Sequence, residues 1–95
     1  MKIRYYIDPE SGQPHIHNHD VRENDVSDVL RNSGEDRPGH QGSRTAIGKT
    51  WDGRYLRIIY VPDPEPDSIF VVTAYDLTGK ALIAFRRRIR RKGKK

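Results

Sequence analysis

The chain has 95 residues, 34% of them hydrophobic and 33% charged, with no cysteine and a formal net charge of +5. That length makes one domain, too short for two lobes or a barrel, and the thin apolar share predicts one sheet covered on one side. A disulfide scaffold, a Cys-ligated zinc and a thiol nucleophile are excluded, no apolar run reaches the ~18 residues of a membrane span, and the first residues lack a signal-peptide stretch, so the expectation is a soluble, cytoplasmic protein without membrane contact.

Ile3, Tyr5 and Ile7 alternate with Lys2, Arg4 and Tyr6, the pattern of a half-buried strand, which Asp8-Pro9-Glu10-Ser11-Gly12 ends as a turn. Residues 14 to 19 read as short and irregular. Val21 to Leu30 reads as an amphipathic helix, with Val26, Val29 and Leu30 on one face and Arg22, Glu23, Asp25 and Asp28 on the other. Asp20 and Glu23 are spaced as a capping pair, and Asn32-Ser33-Gly34 is the stop signal. Glu35 to Ser43, with Pro38, Gly39 and Gly42, reads as a long surface loop.

Arg44 to Trp51 and Arg54 to Val61 flank Asp52-Gly53, which predicts a hairpin closed by a two-residue type I′ turn. In its second strand Leu56, Ile58 and Tyr60 face one way, and Tyr55, Arg57, Ile59 and Val61 the other. The proline-rich residues 62 to 67 form a rigid acidic loop. Ile69 to Tyr75, the most apolar run, is expected to be the central strand. Thr78 opens the last element. Leu82, Phe85 and Ile89 give it the stripe of a basic helix, while the alternation of Ala81, Ile83 and Phe85 would give a strand; the helix is preferred. The class is α+β: a short N-terminal strand and a helix on a small, mostly antiparallel sheet.

Charge is unevenly spread. Residues 1 to 80 carry 10 Lys and Arg against all 13 Asp and Glu, a net −3, whereas residues 81 to 95 carry 8 basic residues and no acid. The domain is placed at residues 1 to 88 and a basic tail, mobile at its end, at 89 to 95. Arginine outnumbers lysine in this cationic block, and its planar fork suits phosphate, so RNA is the favoured partner over a merely solubilising role.

Four segments together resemble a known family: His17-Asn18-His19-Asp20-Val21 before an acidic helix, Arg44-Thr45-Ala46-Ile47-Gly48, the run from Gly53 to Tyr60, and Val71-Val72-Thr73-Ala74-Tyr75. Over about residues 15 to 88 the chain resembles the BrnT-type toxins of the RelE-like superfamily, and a related group of small bacterial domains with that strand order. The resemblance implies a RelE-like α+β fold, metal-independent cleavage of RNA (often messenger RNA) without a cofactor, and a cognate antitoxin encoded alongside. His19 matches the family's entry to its helix, with Asp20 in place of glycine. Tyr75 stands where the family commonly has arginine, and Phe85 where it often has a late tyrosine.

Cleavage by a 2′-hydroxyl needs a proton acceptor, a proton donor and cations for the charge that builds on phosphorus. Arg44 and Arg57 are the candidate phosphate ligands, with His19 or Tyr75 in proton transfer. Arg54, Arg86, Arg87, Arg88, Arg90 and Arg91 are candidate RNA contacts, Arg87 closing over the site. Each has a plainer alternative: Arg57 as half of an ion pair on the outer sheet face, Tyr55, Tyr60 and Tyr75 as packing residues. His15, His17 and His19 would share a face on a strand and bind metal, but they lack carboxylate or thiol support apart from Asp20, and no metal is expected. Trp51 is either a stacking platform for a base or a cross-strand partner.

Two functions compete: an endoribonuclease toxin, and a non-catalytic module of the same fold that binds RNA or the ribosome. Convergence of Arg44, Arg57 and one of His19 or Tyr75 favours the first; placement on different faces favours the second. Anionic-membrane association ranks last, because the stripe of Leu82, Phe85 and Ile89 is needed for packing.

Overall fold

The computed structural model describes residues 2 to 92. Its strands are β1 (Lys2–Tyr5), β2 (Glu35–Pro38), β3 (Arg44–Lys49), β4 (Tyr55–Pro62) and β5 (Ser68–Asp76); its α-helices are α1 (Glu23–Arg31) and α2 (Gly79–Lys92). They form an α+β fold whose single sheet has the order β1-β5-β4-β3-β2. Every pairing is antiparallel except β1 with β5, which is parallel.

One face of the sheet is covered by α1 and by a short 3-10 segment, His15–His19. Ile16, Val21, Val26 and Val29 pack there against Ala46, Leu56, Ile58, Val71 and Ala74, as the alternation along β4 requires. The helix begins at Glu23 rather than Val21. Its cap is the carboxylate of Asp25, which accepts the Arg22 backbone N–H at 3.0 Å. Asp20 instead takes a left-handed conformation (φ 56°) that closes the 3-10 segment, so the expected Asp20–Glu23 capping pair does not form.

The opposite face is covered too, contrary to the expectation of a one-sided sheet. The stripe of α2 is real: Phe85 is buried with Ile47 and Leu77, and Leu82, Ile89 and Tyr55 pack around it. Three apolar residues at helical spacing suffice to dock an otherwise cationic helix, and its long arginines leave their heads in water. The helix runs through Ile89, Arg90, Arg91 and Lys92, so the basic tail is for the most part the last turns of a docked element. The expected mobile end falls on residues 93 to 95, outside the described residues.

Three further elements differ from expectation. The supposed loop at residues 35 to 43 holds an edge strand, β2, followed by a 3-10 turn at His40–Gly42. Glu-Asp-Arg-Pro has no apolar residue to announce a strand, and Pro38 is tolerated because it ends an edge strand. The β3–β4 turn contains one left-handed residue, Gly53 (φ 92°), and closes with Gly53 N–H to Thr50 O and Thr50 N–H to Arg54 O, so it is not type I′. β5 is second in the sheet and β4 is central; β5 is apolar because it too has a strand on either side. No helix among the described residues is long and apolar enough to cross a membrane.

Candidate nucleic-acid interface

On β4, Tyr55, Arg57 and Ile59 point to the α2 side of the sheet. In register, Arg57 lies between Ile47 of β3 and Tyr75 of β5. Its guanidinium has no carboxylate partner, and its buried Nε has no hydrogen-bond acceptor among the described residues. The other strand arginines are all committed: Arg4 to Asp63 at 2.9 Å, Arg37 to Glu35 at 3.3 Å and Arg44 to Asp36 at 2.8 Å. Arg57 is therefore the sheet's one uncommitted guanidinium among the described residues, and the ion-pair alternative for it does not hold.

Tyr75, register partner of Arg57, sits where β1 has already ended and the flank of β5 is open. The 3-10 segment lies along that flank. The ring of His19 is 6.0 Å from that of Tyr75, His15 is 5.4 Å from His19, and Tyr6 is 6.0 Å from His15. Of the four catalytic candidates read from the sequence, Tyr75 thus neighbours two: His19 by its ring and Arg57 by strand register.

The fourth is elsewhere. Arg44 alternates with Thr45 and Ile47 along β3, so it lies on the α1 side with Ala46 and Tyr60, across the sheet from Arg57. It donates to Asp36 through Nε and Nη2, and the Tyr60 hydroxyl donates to the same carboxylate. Asp36 raises the pKa of Arg44 and, after burial, that of Tyr60. Arg44 is thus paired with Asp36 on the opposite face of the sheet from Arg57.

Arg54 is also spent. It donates to Asp76 at 2.9 Å, to the Asp20 carbonyl at 2.6 Å and to the His19 carbonyl at 3.3 Å, and lies 3.6 Å from Asp25. Its role is to clamp the 3-10 segment to the end of β5, which fixes His19 beside Tyr75. Arg88 reaches back to the buried Glu35, so its guanidinium is committed within the domain. Arg86, Arg87, Arg90 and Arg91 remain exposed on α2. Arg86 lies 5.9 Å over the Tyr55 ring, and with Arg87, Arg90 and Ile83 it lines a shallow groove.

The histidines do not form a metal set. The 3-10 turn brings His15 and His19 together, His15 also 3.4 Å from Asp8, but sends His17 away to Glu23 at 2.8 Å. Among the described residues no three potential ligands gather as a metal would need. Sequence reasoning missed Lys49, whose Nζ lies 5.8 Å from the centre of the Tyr55 ring that Arg86 also approaches. A lone lysine before a turn carries no signal until the ring it covers is known. No protein-family model, curated protein or solved structure matches the chain.

Proposed function

We propose that the protein is an RNA-binding module, contacting the phosphate backbone through Arg57 and the exposed arginines of α2. The observation that carries this reading is the uncommitted Arg57 in a sheet whose other arginines are each neutralised. A guanidinium with no carboxylate partner among the described residues keeps its charge for an external anion, and a phosphate oxygen is its natural complement. Arg86, Arg87, Arg90 and Arg91 supply the sequence-independent attraction for a polyanion. The separation of Arg44 from Arg57 by the full thickness of the sheet favours binding over a complete two-arginine cleavage site.

The test is binding of a fluorescent single-stranded RNA, followed by anisotropy over a range of salt. The expected result is an affinity that falls with salt and drops again in Arg57→Met. A native chain that binds no RNA at low salt overturns the reading.

The position of Tyr75, with His19 against its ring and Arg57 beside it in register, favours a second reading, in which the domain is a RelE-like endoribonuclease toxin with a single phosphate arginine. His19 then takes the 2′ proton, Tyr75 donates to the leaving 5′ oxygen, and Arg57 holds the phosphorane charge. That reading requires RNA fragments ending in a cyclic phosphate in the presence of a chelator, their loss in His19→Ala, and growth arrest relieved by a co-expressed antitoxin. Intact RNA after long incubation removes it and leaves the binding module standing.

A further inference from the structure

The β3–β4 turn presents Trp51 with 94% of its surface in solvent. A small domain gains nothing in folding from an indole held there, since the hydrophobic contribution comes only from area removed from water. Nor is the turn a loose end. The Trp51 backbone N–H donates to Asp28 Oδ2 of α1 at 3.0 Å, and the Thr50 hydroxyl accepts the Arg54 N–H at 2.9 Å. The backbone that carries the indole is thus tied to a helix and to the neighbouring strand. The cross-strand role fails as well: the β3–β4 ladder ends at Lys49 and Tyr55, before Trp51 is reached.

The surroundings are cationic and amide-bearing. Arg31, Asn32 and Lys49 line a groove with Trp51, and the one carboxylate in it, Asp28, is occupied by the Trp51 N–H. Lys49 continues the charge onward. It and Arg86 both sit over the Tyr55 ring, at 5.8 and 5.9 Å, so positive charge runs from the turn to the exposed face of α2.

We infer that Trp51 is a stacking platform for an unpaired nucleobase, which makes the ligand of this domain single-stranded rather than duplex RNA. This deepens the RNA-binding reading and rests on it. Every base offers a π-face to an indole once it is unstacked, whereas in a duplex those faces are covered. Arg31 and Lys49 are placed to meet the phosphates on either side of the stacked base, and the Asn32 amide can meet its edge.

Trp51 is the chain's one tryptophan, so its fluorescence reports on this position alone. The full chain is titrated with a single-stranded RNA of mixed sequence and with a duplex of equal length, while labelled RNA gives the affinity of native, Trp51→Ala, Trp51→Phe and Arg57→Met chains. Single-stranded RNA is expected to quench the indole and duplex RNA to leave it unchanged. Trp51→Ala is expected to weaken binding about tenfold or more, with Trp51→Phe restoring most of it. If RNA binds in an Arg57-dependent way while the indole is silent and Trp51→Ala binds like native, the inference is overturned and the RNA-binding reading survives, leaving the indole to a protein partner. Equal quenching by duplex RNA also overturns it. A native chain that binds neither RNA overturns the underlying reading, and the platform with it.

Discussion

Arg88, on α2, closes on Glu35, the first residue of β2, with Nε and Nη2 each donating to one carboxylate oxygen. The Glu35 side chain is only 4% exposed, and Arg37 approaches the same carboxylate at 3.3 Å. One arginine of the basic block therefore pins the helix to the edge strand, while its neighbours project outward. Arg88→Ala is expected to lower the melting temperature by several degrees, since it leaves a buried carboxylate with only the longer contact to Arg37. Arg87→Ala is expected to leave the melting temperature unchanged and to reduce the salt slope of RNA binding by about 0.7, the loss of one phosphate contact. Thermal melts and salt titrations of the two variants, side by side, check both halves.

This pair shows where the sequence is legible and where it is not. The strands β1, β3, β4 and β5 and both helices follow from apolar spacing, because burying a stripe or a face is what forms them. β2 could not be found that way. Its four residues are held by backbone bonds to β3 and by a charge that arrives from α2, and neither leaves a periodic trace. The site divides similarly. Arg57 and Tyr75 were readable as residue types on predicted strands, whereas His19 stood in a segment read as irregular and its place beside Tyr75 comes from the 3-10 turn. That Arg44, Arg54 and Arg88 are already neutralised depends on Asp36, Asp76 and Glu35, each at least eight positions away.

Gly34 looks like a helix stop, yet its φ is not left-handed. Its lack of a side chain serves a close approach instead. A Cβ there would lie 2.7 Å from Phe85 Cζ and 2.9 Å from Ile89 Cδ1. Gly34→Ala is accordingly expected to destabilise the fold by about 1–3 kcal/mol through overpacking. Phe85→Leu in the same chain should recover part of that loss, which denaturant unfolding of the single and double variants measures.

Stability should fall at both ends of the pH scale for separate reasons. Hydrogen bonding and charge from Arg88 hold the Glu35 carboxyl below its ordinary range, and Arg4 and Ser68 do the same for Asp63. Stability from these groups is fully present above about pH 4.3 and is lost as pH falls through their lowered values. At the alkaline end, burial, with a smaller contribution from Glu23, pushes the Tyr5 hydroxyl up to about 12. The fold prefers the neutral phenol, so that stability is intact below about pH 10 and declines as pH rises from there towards the folded value. Tyr5→Phe is expected to flatten the alkaline decline and Glu35→Gln the acid one, each read from unfolding midpoints across the range.

Arg57 should behave in the opposite way to Arg88. No ion pair is lost when it is replaced, and the buried Nε without an acceptor disappears. Methionine fills a similar space between Ile47 and Tyr75 without a polar atom to satisfy. Arg57→Met is therefore expected to hold or raise stability, by up to about 1 kcal/mol, while RNA affinity falls about tenfold. A residue kept for packing would give the reverse: a lower unfolding midpoint with unchanged affinity. Measuring both quantities on one preparation separates the two, because a guanidinium retained at a cost to folding has its complement outside the chain.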